Sequence, residues 1–359
     1  MENLKIKNVD KVSSQELFRL IVLVHGLALS DNSGISIPKK GDALPRLELL
    51  IGSGGNRRHT TGRVNIKSPI VFNKNFLIGI INSKKVEVPT IKHESFIGDT
   101  NNFTFSPVRV NGPSLVLDWR VFCCYKCKFC FKEADWEMRR INAIISKSPE
   151  ENLREILDYL EKNAKSLYQY KTIWLCTGSN SAPEREIDEH ATLIKKLREI
   201  GFKNGIFISM VIPKNILHDH KKRMETFRYL KKIGLDRFNS GMELVSPHFR
   251  RKYITGYKGS LTVEDYYKVL GDATTIFGKN VGSCVLIGLE PHKNSREGLR
   301  MLAEKGVQLV PTIYTSFVNF QLKNKIYGSI DDFIETNLWF KNLVEKYNME
   351  IFESIFGLI

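Results

Sequence analysis

The sequence predicts an α/β protein: a partial, TIM-like (β/α)6 barrel preceded by an N-terminal α+β region. Three observations predict it. From Ser114 onward, near-continuous apolar segments alternate six times with amphipathic helical stretches, the pattern of a parallel sheet covered by helices. Those six units fall two short of a closed (β/α)8 barrel, so the sheet is expected to stay open. Before Ser114 the pattern differs, with short alternating segments separated by turn residues. The expected division is 1–112 for the N-terminal region, 113–325 for the barrel and 326–359 for a C-terminal helix and tail.

In the N-terminal region, Ser13-Ser14-Gln15-Glu16 opens a helix, with Ser13 or Ser14 as N-cap and Glu16 near capping-box spacing. Leu17, Leu20, Ile21 and Val24 make its apolar face, and it is expected to reach about Leu29. Strands are expected at 47–51, 64–66, 70–72, 76–81 and 86–91. Asn73-Lys74-Asn75 and Asn82-Ser83-Lys84-Lys85 suggest hairpin turns between the later ones. The stretch Gly52-Ser53-Gly54-Gly55-Asn56-Arg57-Arg58-His59 joins glycines to two arginines. Backbone N–H groups of such a loop can cradle an anion, but the spacing is neither a P-loop nor a dinucleotide fingerprint. A basic hairpin tip is the simpler reading; a grip on a carboxylate or phosphate over the active site is the alternative.

The first barrel strand, Leu115–Trp119, leads straight into a cysteine-rich loop, and a long helical stretch at about 133–168 follows. Further strands are expected at 172–176, 205–212, 237–245, 282–289 and 307–315. The intervening helices are expected at 183–200, 218–233, 262–277 and 295–305, with a last one at 331–347. Pro183 suits a first helical turn, Thr262-x-x-Asp265 is a cap, and Gly306 closes a helix. In such a barrel, functional residues sit at the C-terminal ends of the strands.

Of the 359 residues, 42% are hydrophobic and 10% aromatic, which excludes a disordered chain. No run of about 18 apolar residues occurs, so no membrane span is predicted. The start, Met1-Glu2-Asn3-Leu4-Lys5, lacks the apolar core of a signal peptide, and clustered cysteines then point to a reducing cytoplasm. The net charge is +15, from 54 Lys and Arg against 39 Asp and Glu. Such a charge suits a polyanion, but the lysines are scattered along helices instead of gathered in one arm. Solvated surfaces, or a field drawing an anionic small substrate, account for it, and nucleic acid is not an expected partner.

The chemistry concentrates in Cys123-Cys124-Tyr125-Lys126-Cys127-Lys128-Phe129-Cys130, where four of the six cysteines fall within eight positions. Thiols this close cannot all find geometrically sound disulfide partners. They suit a metal site, and three thiolates suit an iron–sulfur cluster with one iron left open. A structural zinc site would want a second C-x2-C or a His pair, which is absent here. Cys123, Cys127 and Cys130 form one candidate ligand set, with C-x3-C-x2-C spacing. Cys124, Cys127 and Cys130 form an alternative set with C-x2-C-x2-C spacing. Cys176 and Cys284 share strand parity with Gly178 and Gly288, so each is expected to face the barrel interior or to be ordinary core.

The C-x3-C-x2-C motif, with Phe129 before its last cysteine and a strand just before it, resembles the radical S-adenosylmethionine (SAM) superfamily across about residues 114–320. The resemblance implies a [4Fe–4S] cluster on Cys123, Cys127 and Cys130, the catalytic cysteines. It implies SAM on the fourth iron through its amino and carboxylate groups, and cleavage of a sulfonium C–S bond by one electron. An external one-electron reductant, such as flavodoxin or ferredoxin, is implied as a partner. Thr177-Gly178-Ser179 resembles the segment that receives the SAM amino group, although it departs from the usual Gly-Gly-Glu. Ser209 and Glu243 lie where the family binds the ribose and the methionine end. Arg250, which follows Met242–Pro247, matches the ribose and carboxylate region. Gly288 resembles the fifth-strand glycine that packs on adenine, and Thr312 lies in the sixth strand, which gives backbone contacts to adenine.

The doubled cysteine, C-C-x2-C-x-F-C, resembles the variant motif of the arsinothricin-biosynthesis branch. That resemblance implies transfer of the 3-amino-3-carboxypropyl group of SAM to arsenite, and Cys124 would be a spare thiol or a thiophile-binding one. The alternative is a 5′-deoxyadenosyl radical that abstracts hydrogen from an organic small molecule, as in the biotin-synthase and lipoyl-synthase branches. Two spare cysteines count against an auxiliary cluster and against sulfur insertion. The N-terminal region holds no Asp-x-His-x-x-Gly signature for cobalamin.

Overall fold

Two seven-stranded sheets organise the described residues. The computed structural model describes residues 2–30, 46–52, 58–65, 67–92, 107–111, 113–120, 122–130, 147–179, 183–314, 322 and 326–350. The first sheet belongs to the N-terminal region. It is built from β1 (Asn3–Leu4), β2 (Ala28–Leu29), β3 (Arg46–Ile51), β4 (Arg58–Arg63), β5 (Ile70–Asn73), β6 (Phe76–Ile81) and β7 (Lys84–Lys92). Its order is β2-β5-β6-β7-β3-β4, with β1 parallel to β6. Both expected hairpin turns are present: Lys74 takes φ 52, and Asn82 and Ser83 take φ 48 and 64, the left-handed values such turns require. Arg58 and His59 pair with Ile51 and Leu50, which makes the glycine–arginine stretch part of a hairpin whose residues 53–57 lie outside the described set. The strand expected at 64–66 reduces to a single bridge between Val64 and Leu27.

Helix α1 (Ser14–His25) starts on Ser13, whose hydroxyl accepts the Glu16 N–H at 3.2 Å. Such a cap is worth about 1 kcal/mol. Every residue from Leu17 to Val24 is buried, so the helix is covered on more than its one apolar face. It stops short of Leu29 because Gly26, at φ 76, caps it and Ala28–Leu29 pairs with Val71–Phe72. Glu16 does not close the capping box. Its carboxylate accepts from Lys341 Nζ at 2.8 Å and from Asn337, on the last helix, and this tertiary pair displaces the local one. Asp331 of the same helix accepts the backbone N–H groups of Lys7 and Asn8, each at 2.9 Å.

The second sheet starts with β8 (Val108–Asn111), an edge strand that the sequence reading left unassigned within its N-terminal region. The sheets therefore divide between Lys92 and Val108. There follow β9 (Ser114–Leu117), α2 (Pro149–Lys162), β10 (Thr172–Cys176), α3 (Pro183–Glu199), β11 (Gly205–Ser209), α4 (Lys214–Leu217) and α5 (His220–Lys232). The rest is β12 (Arg237–Asn239), α6 (Pro247–Tyr253), α7 (Gly256–Ser260), α8 (Val263–Phe277), β13 (Val281–Ile287), α9 (His292–Glu304), β14 (Gln308–Ile313) and α10 (Ile330–Tyr347). Strands β9 to β14 lie side by side in chain order, all parallel, with β14 at one edge and β8 antiparallel at the other. This is the open (β/α)6 arrangement expected.

Local chemistry explains the helix boundaries. Ser148 with Glu151, Thr262 with Asp265 and Ser329 with Asp332 form closed capping boxes. The helix expected at 218–233 is α5, which starts at His220 because Asp219 caps it, accepting the Lys222 N–H at 2.9 Å; the short α4 precedes it. Of the helical stretch expected at 133–168, residues 149–162 are helix and 131–146 lie outside the described set. Alternation in β10 and β11 buries Ile173, Leu175, Ile206 and Ile208 beneath the helices. Trp174, Cys176, Phe207 and Ser209 take the opposite face, the lumen. Among the described residues, no helix is long and apolar enough to cross a membrane.

Candidate active site at the strand ends

The chain leaves β9 through Asp118-Trp119-Arg120, and α3 holds this approach. Trp119 is fully buried; its Nε1–H donates to Glu189 Oε2 at 2.8 Å, and Arg120 pairs with the same oxygen. His190 lies edge-on to the Trp119 ring at 5.0 Å, and Asn152 Nδ2 donates to the Trp119 carbonyl at 3.1 Å. The Arg120 N–H then donates to Thr177 Oγ1 at 2.9 Å, and its guanidinium reaches the Gly178 carbonyl at 3.2 Å.

The cysteine loop is pinned on two sides. On one, the Cys124 N–H donates to the Ser179 carbonyl at 2.9 Å, and the Ser179 N–H points at Cys123 Sγ at 3.4 Å. Gly178 makes this approach possible: a Cβ there would stand 2.1 Å from the Phe122 carbonyl oxygen, which no side chain tolerates. On the other side, the Lys128 N–H donates to the Tyr253 carbonyl at 2.9 Å and the Thr255 N–H to the Tyr125 carbonyl at 3.3 Å. The loop turns at Lys126, at φ 40, and the Cys130 N–H closes on the Cys127 carbonyl at 2.8 Å.

The thiols sit in a graded field. Cys124 donates to the Cys123 sulfur and, with Lys258 and the Ser179 N–H, outweighs burial to lower the Cys123 thiol to about 5. Burial pushes the Cys127 thiol up, against the pull of Lys258. Lys258 Nζ donates to Glu243 Oε1 at 2.7 Å. Burial opposes its charge, yet Glu243 and Cys127 hold its pKa well above the usual range. Cys284 donates to Thr312 Oγ1 at 3.3 Å, and burial raises its thiol to about 11.

The structure brings several of the expected residues together and separates others. Thr177, Gly178 and Ser179 lie against the cysteine loop. Ser209 ends β11 in register with Cys176 and Asn239. Glu243, Cys284 and Thr312 gather along β13 and β14, where Glu243 bridges Val285. Glu243 is not on a regular strand: β12 stops at Asn239, and Glu243 takes φ 64. Arg250 lies fully buried beneath the site, where its guanidinium donates to the carbonyls of Met242, Leu244 (2.8 Å) and Lys258 (2.7 Å). These three bonds go to backbone carbonyls, so Arg250 props the site from below. Gly288 also departs from expectation. The strand ends at Ile287, and at φ 97 a Cβ on Gly288 would point at Phe333 of α10, 2.9 Å away. Sequence reasoning missed Lys258. The signal available was a segment, His248–Ser260, rich in cations and aromatics and free of acids just after the fourth strand. It also missed Glu290, whose buried carboxylate accepts the Val245 and Ser246 N–H groups at 2.7 and 2.9 Å and fixes the loop after Glu243.

Comparison with known proteins adds the family. No curated protein matches the chain. Among solved structures, coproporphyrinogen III oxidase HemN from Escherichia coli, described as a radical SAM enzyme, shares 16% identity at a TM-score of 0.44, over 64% of this chain and 52% of that one. The FeFe-hydrogenase maturase HydG from Carboxydothermus hydrogenoformans shares 16% at 0.47, over 65% and 51%. SuiB from Streptococcus suis, solved with SAM bound, shares 14% at 0.45, over 64% and 47%. The aligned part is thus about half the length of each of these proteins. Residues 120–290, from the cysteine loop to the end of the fifth strand, match the model of the radical SAM superfamily.

Proposed function

We propose that this protein cleaves SAM reductively at a [4Fe–4S] cluster held by Cys123, Cys127 and Cys130. The superfamily works with that cluster and SAM. The donor set fits the group. Three soft thiolates suit an iron–sulfur cluster with one iron left open, and Cys123 and Cys130 both stand close enough to Cys127 to raise its thiol's pKa. The observation that carries the reading is the pinned loop: three thiols at the strand ends, held between Thr177–Ser179 and Tyr253–Thr255. When bound, the reduced cluster supplies the electron that breaks a sulfonium C–S bond. The chain's own part is to bind and orient. Glu243 and Lys258 present a carboxylate and an ammonium to the amino, carboxylate or hydroxyl groups of the cosubstrate, and Ser209 and Thr312 line the lumen beside them. Residues 113–325 form the catalytic barrel in this reading, and residues 1–112 a region that braces it through α10.

The finer reading is transfer of the 3-amino-3-carboxypropyl group to arsenite. It is supported by Cys124, a fourth thiol in contact with Cys123 that the three-ligand set leaves over. A second reading, a 5′-deoxyadenosyl radical abstracting hydrogen from an organic substrate, is favoured by the polar lumen of Ser209, Asn239 and Thr312. A cytoplasmic setting suits either. Product analysis tests them: the reconstituted, reduced protein is given SAM with and without arsenite. 5′-Methylthioadenosine with an arsenic-containing amino acid supports the finer reading. 5′-Deoxyadenosine supports the second. Cluster-loaded protein that yields neither product overturns the proposal.

A further inference from the structure

The ion pair of Glu243 and Lys258 has a direction. Glu243 is tied to the fifth strand: its N–H donates to the Cys284 carbonyl at 2.8 Å, and its carbonyl accepts the Leu286 N–H at 2.7 Å. Lys258 belongs to α7, which begins against the cysteine loop. The Thr255 N–H donates to the Tyr125 carbonyl at 3.3 Å, and a Cβ on Gly256 would stand 3.5 Å from the Tyr125 ring. The Tyr257 and Tyr125 rings lie 6.5 Å apart. Arg250 holds the Lys258 carbonyl at 2.7 Å. The carboxylate thus comes from the β13 side of the site and the ammonium from the side of the cysteine loop.

The field on the thiols has the same sense. At Cys127 the pull of Lys258 exceeds the push of Glu243, and at Cys123 Lys258 favours the thiolate. At Cys284, on β13, the order reverses and Glu243 acts more strongly than Lys258. Both side chains of the pair are largely buried, so salt and water screen them little. Neither 119–130 nor 247–260 contains an aspartate or glutamate, so neither segment supplies a second carboxylate to cancel the ammonium. An iron–sulfur cluster gains one negative charge and no proton on reduction, and the charge around it helps set its potential.

We propose that the Lys258 ammonium raises the reduction potential of the cluster held by the cysteine loop, and that Glu243 opposes it from the far end of the pair. This rests on the radical SAM reading and goes beyond binding of the cosubstrate. The electron comes from an external one-electron reductant, no proton moves, and no covalent bond forms or breaks in the step. The ammonium stabilises the added charge, so the oriented pair sets how readily the site is loaded with its electron. A cation whose whole role was to neutralise Glu243 would leave the potential where it is.

The test uses the full-length, cluster-loaded protein without SAM. It is titrated with dithionite in the presence of redox mediators, and the reduced cluster is read by electron paramagnetic resonance. Lys258→Gln removes the cation, Glu243→Gln removes the anion, and Lys258→Arg keeps the charge. In Lys258→Gln the reduction equilibrium is expected to shift about tenfold or more towards the oxidised form, a midpoint about 59 mV lower for one electron. Glu243→Gln should shift it the other way, and Lys258→Arg should stay near wild type. Loosening of the loop alone would move both neutral variants in one direction, so opposite signs separate charge from damage. Should Lys258→Gln fail to fold, the upward shift in Glu243→Gln decides. Unchanged midpoints, or shifts of the same sign in Lys258→Gln and Glu243→Gln, overturn the proposal. A wild type that takes up no iron and sulfide would instead defeat the cluster reading beneath it.

Discussion

Lys258 and Glu243 form an ion pair at 2.7 Å, with side chains only 11% and 18% exposed. One buried residue beneath them sets the geometry of both. Arg250 binds the carbonyls on either side of Glu243, those of Met242 and Leu244, and the carbonyl of Lys258 itself. The Glu243 backbone is tied as well: its N–H donates to the Cys284 carbonyl at 2.8 Å, and its carbonyl accepts the Leu286 N–H at 2.7 Å. Those bonds hold φ at 64, a value non-glycine residues rarely adopt. Among the described residues, buried Glu243 Oε2 has no hydrogen-bond partner, which leaves one acceptor for a ligand donor.

Removing one charge of this pair strands the other. Lys258→Met is expected to destabilise the protein by about 3 kcal/mol, the cost of an uncompensated buried charge. The double variant Lys258→Met/Glu243→Gln should recover much of that loss. Urea unfolding of the three proteins checks it. Equal stability of the Lys258→Met variant and the wild type would show that the pair is solvated.

Arg250→Lys keeps the charge but not the fork. A lysine can satisfy one or two of the three carbonyls, and each buried one left over costs about 1–3 kcal/mol. The expectation is a lower melting temperature and weaker SAM binding, because Glu243 and Lys258 lose a common support. A variant with a lowered melting temperature but wild-type SAM affinity would separate Arg250 from the site.

Gly178→Ala places a methyl 2.1 Å from a backbone oxygen of the cysteine loop. Backbone cannot yield as a flexible side chain can, so the loop must move, at about 1–3 kcal/mol. The displaced loop should take up less iron and sulfide per chain on reconstitution. Full cluster content in the variant would mean that the loop adapts freely.

The barrel was legible because its strands are apolar runs between capped helices. Thr262 marks a helix start by side-chain chemistry that is local in sequence; Ser148 and Ser329 do the same in the structure, but the long helix expected at 133–168 runs through Ser148 and no cap is expected at Ser329. The cysteine loop was legible for the same reason, since its spacing lies within eight residues. What failed to read is what tertiary contact decides. Glu16 has capping-box spacing, but Lys341 takes its carboxylate from 325 residues away. Gly288 looked like a strand glycine facing the interior, but the strand ends one residue earlier and α10 covers it. Arg250 sits among three consecutive cations in sequence, and only burial distinguishes it from exposed Arg251 and Lys252.

The doubled cysteine can be resolved by substitution. Cys123→Ala, Cys127→Ala and Cys130→Ala should each lower cluster iron and abolish SAM cleavage. Cys124→Ala should retain the cluster, because its N–H bond to Ser179 is made by backbone and survives the change. Iron and sulfide analysis with the visible absorption of the reconstituted proteins decides. Loss of iron in Cys124→Ala with retention in Cys123→Ala would transfer the ligand role to Cys124.

His190 gives the protein a pH dependence that can be traced to one ring. It is fully buried against Trp119, and burial lowers its pKa to about 4, with the Glu186 carbonyl opposing. In the unfolded chain the ring titrates near 6.5. Between those values the unfolded state holds a proton that the native state lacks, so stability falls as pH falls. The contribution is complete above about pH 6.5 and declines towards pH 4, by about 2 kcal/mol at pH 5. His190→Phe keeps an aromatic edge against Trp119 and has nothing to protonate. It should be less stable than wild type at pH 7.5, having lost the bond to the Glu186 carbonyl, but should lose about 2 kcal/mol less than wild type on acidification to pH 5. Urea unfolding at the two pH values measures this difference of differences, in which the carboxylates common to both proteins cancel. Identical losses in the two proteins would mean that His190 is reached by protons in the folded state, and that the approach to the cysteine loop is looser than its hydrogen bonds imply.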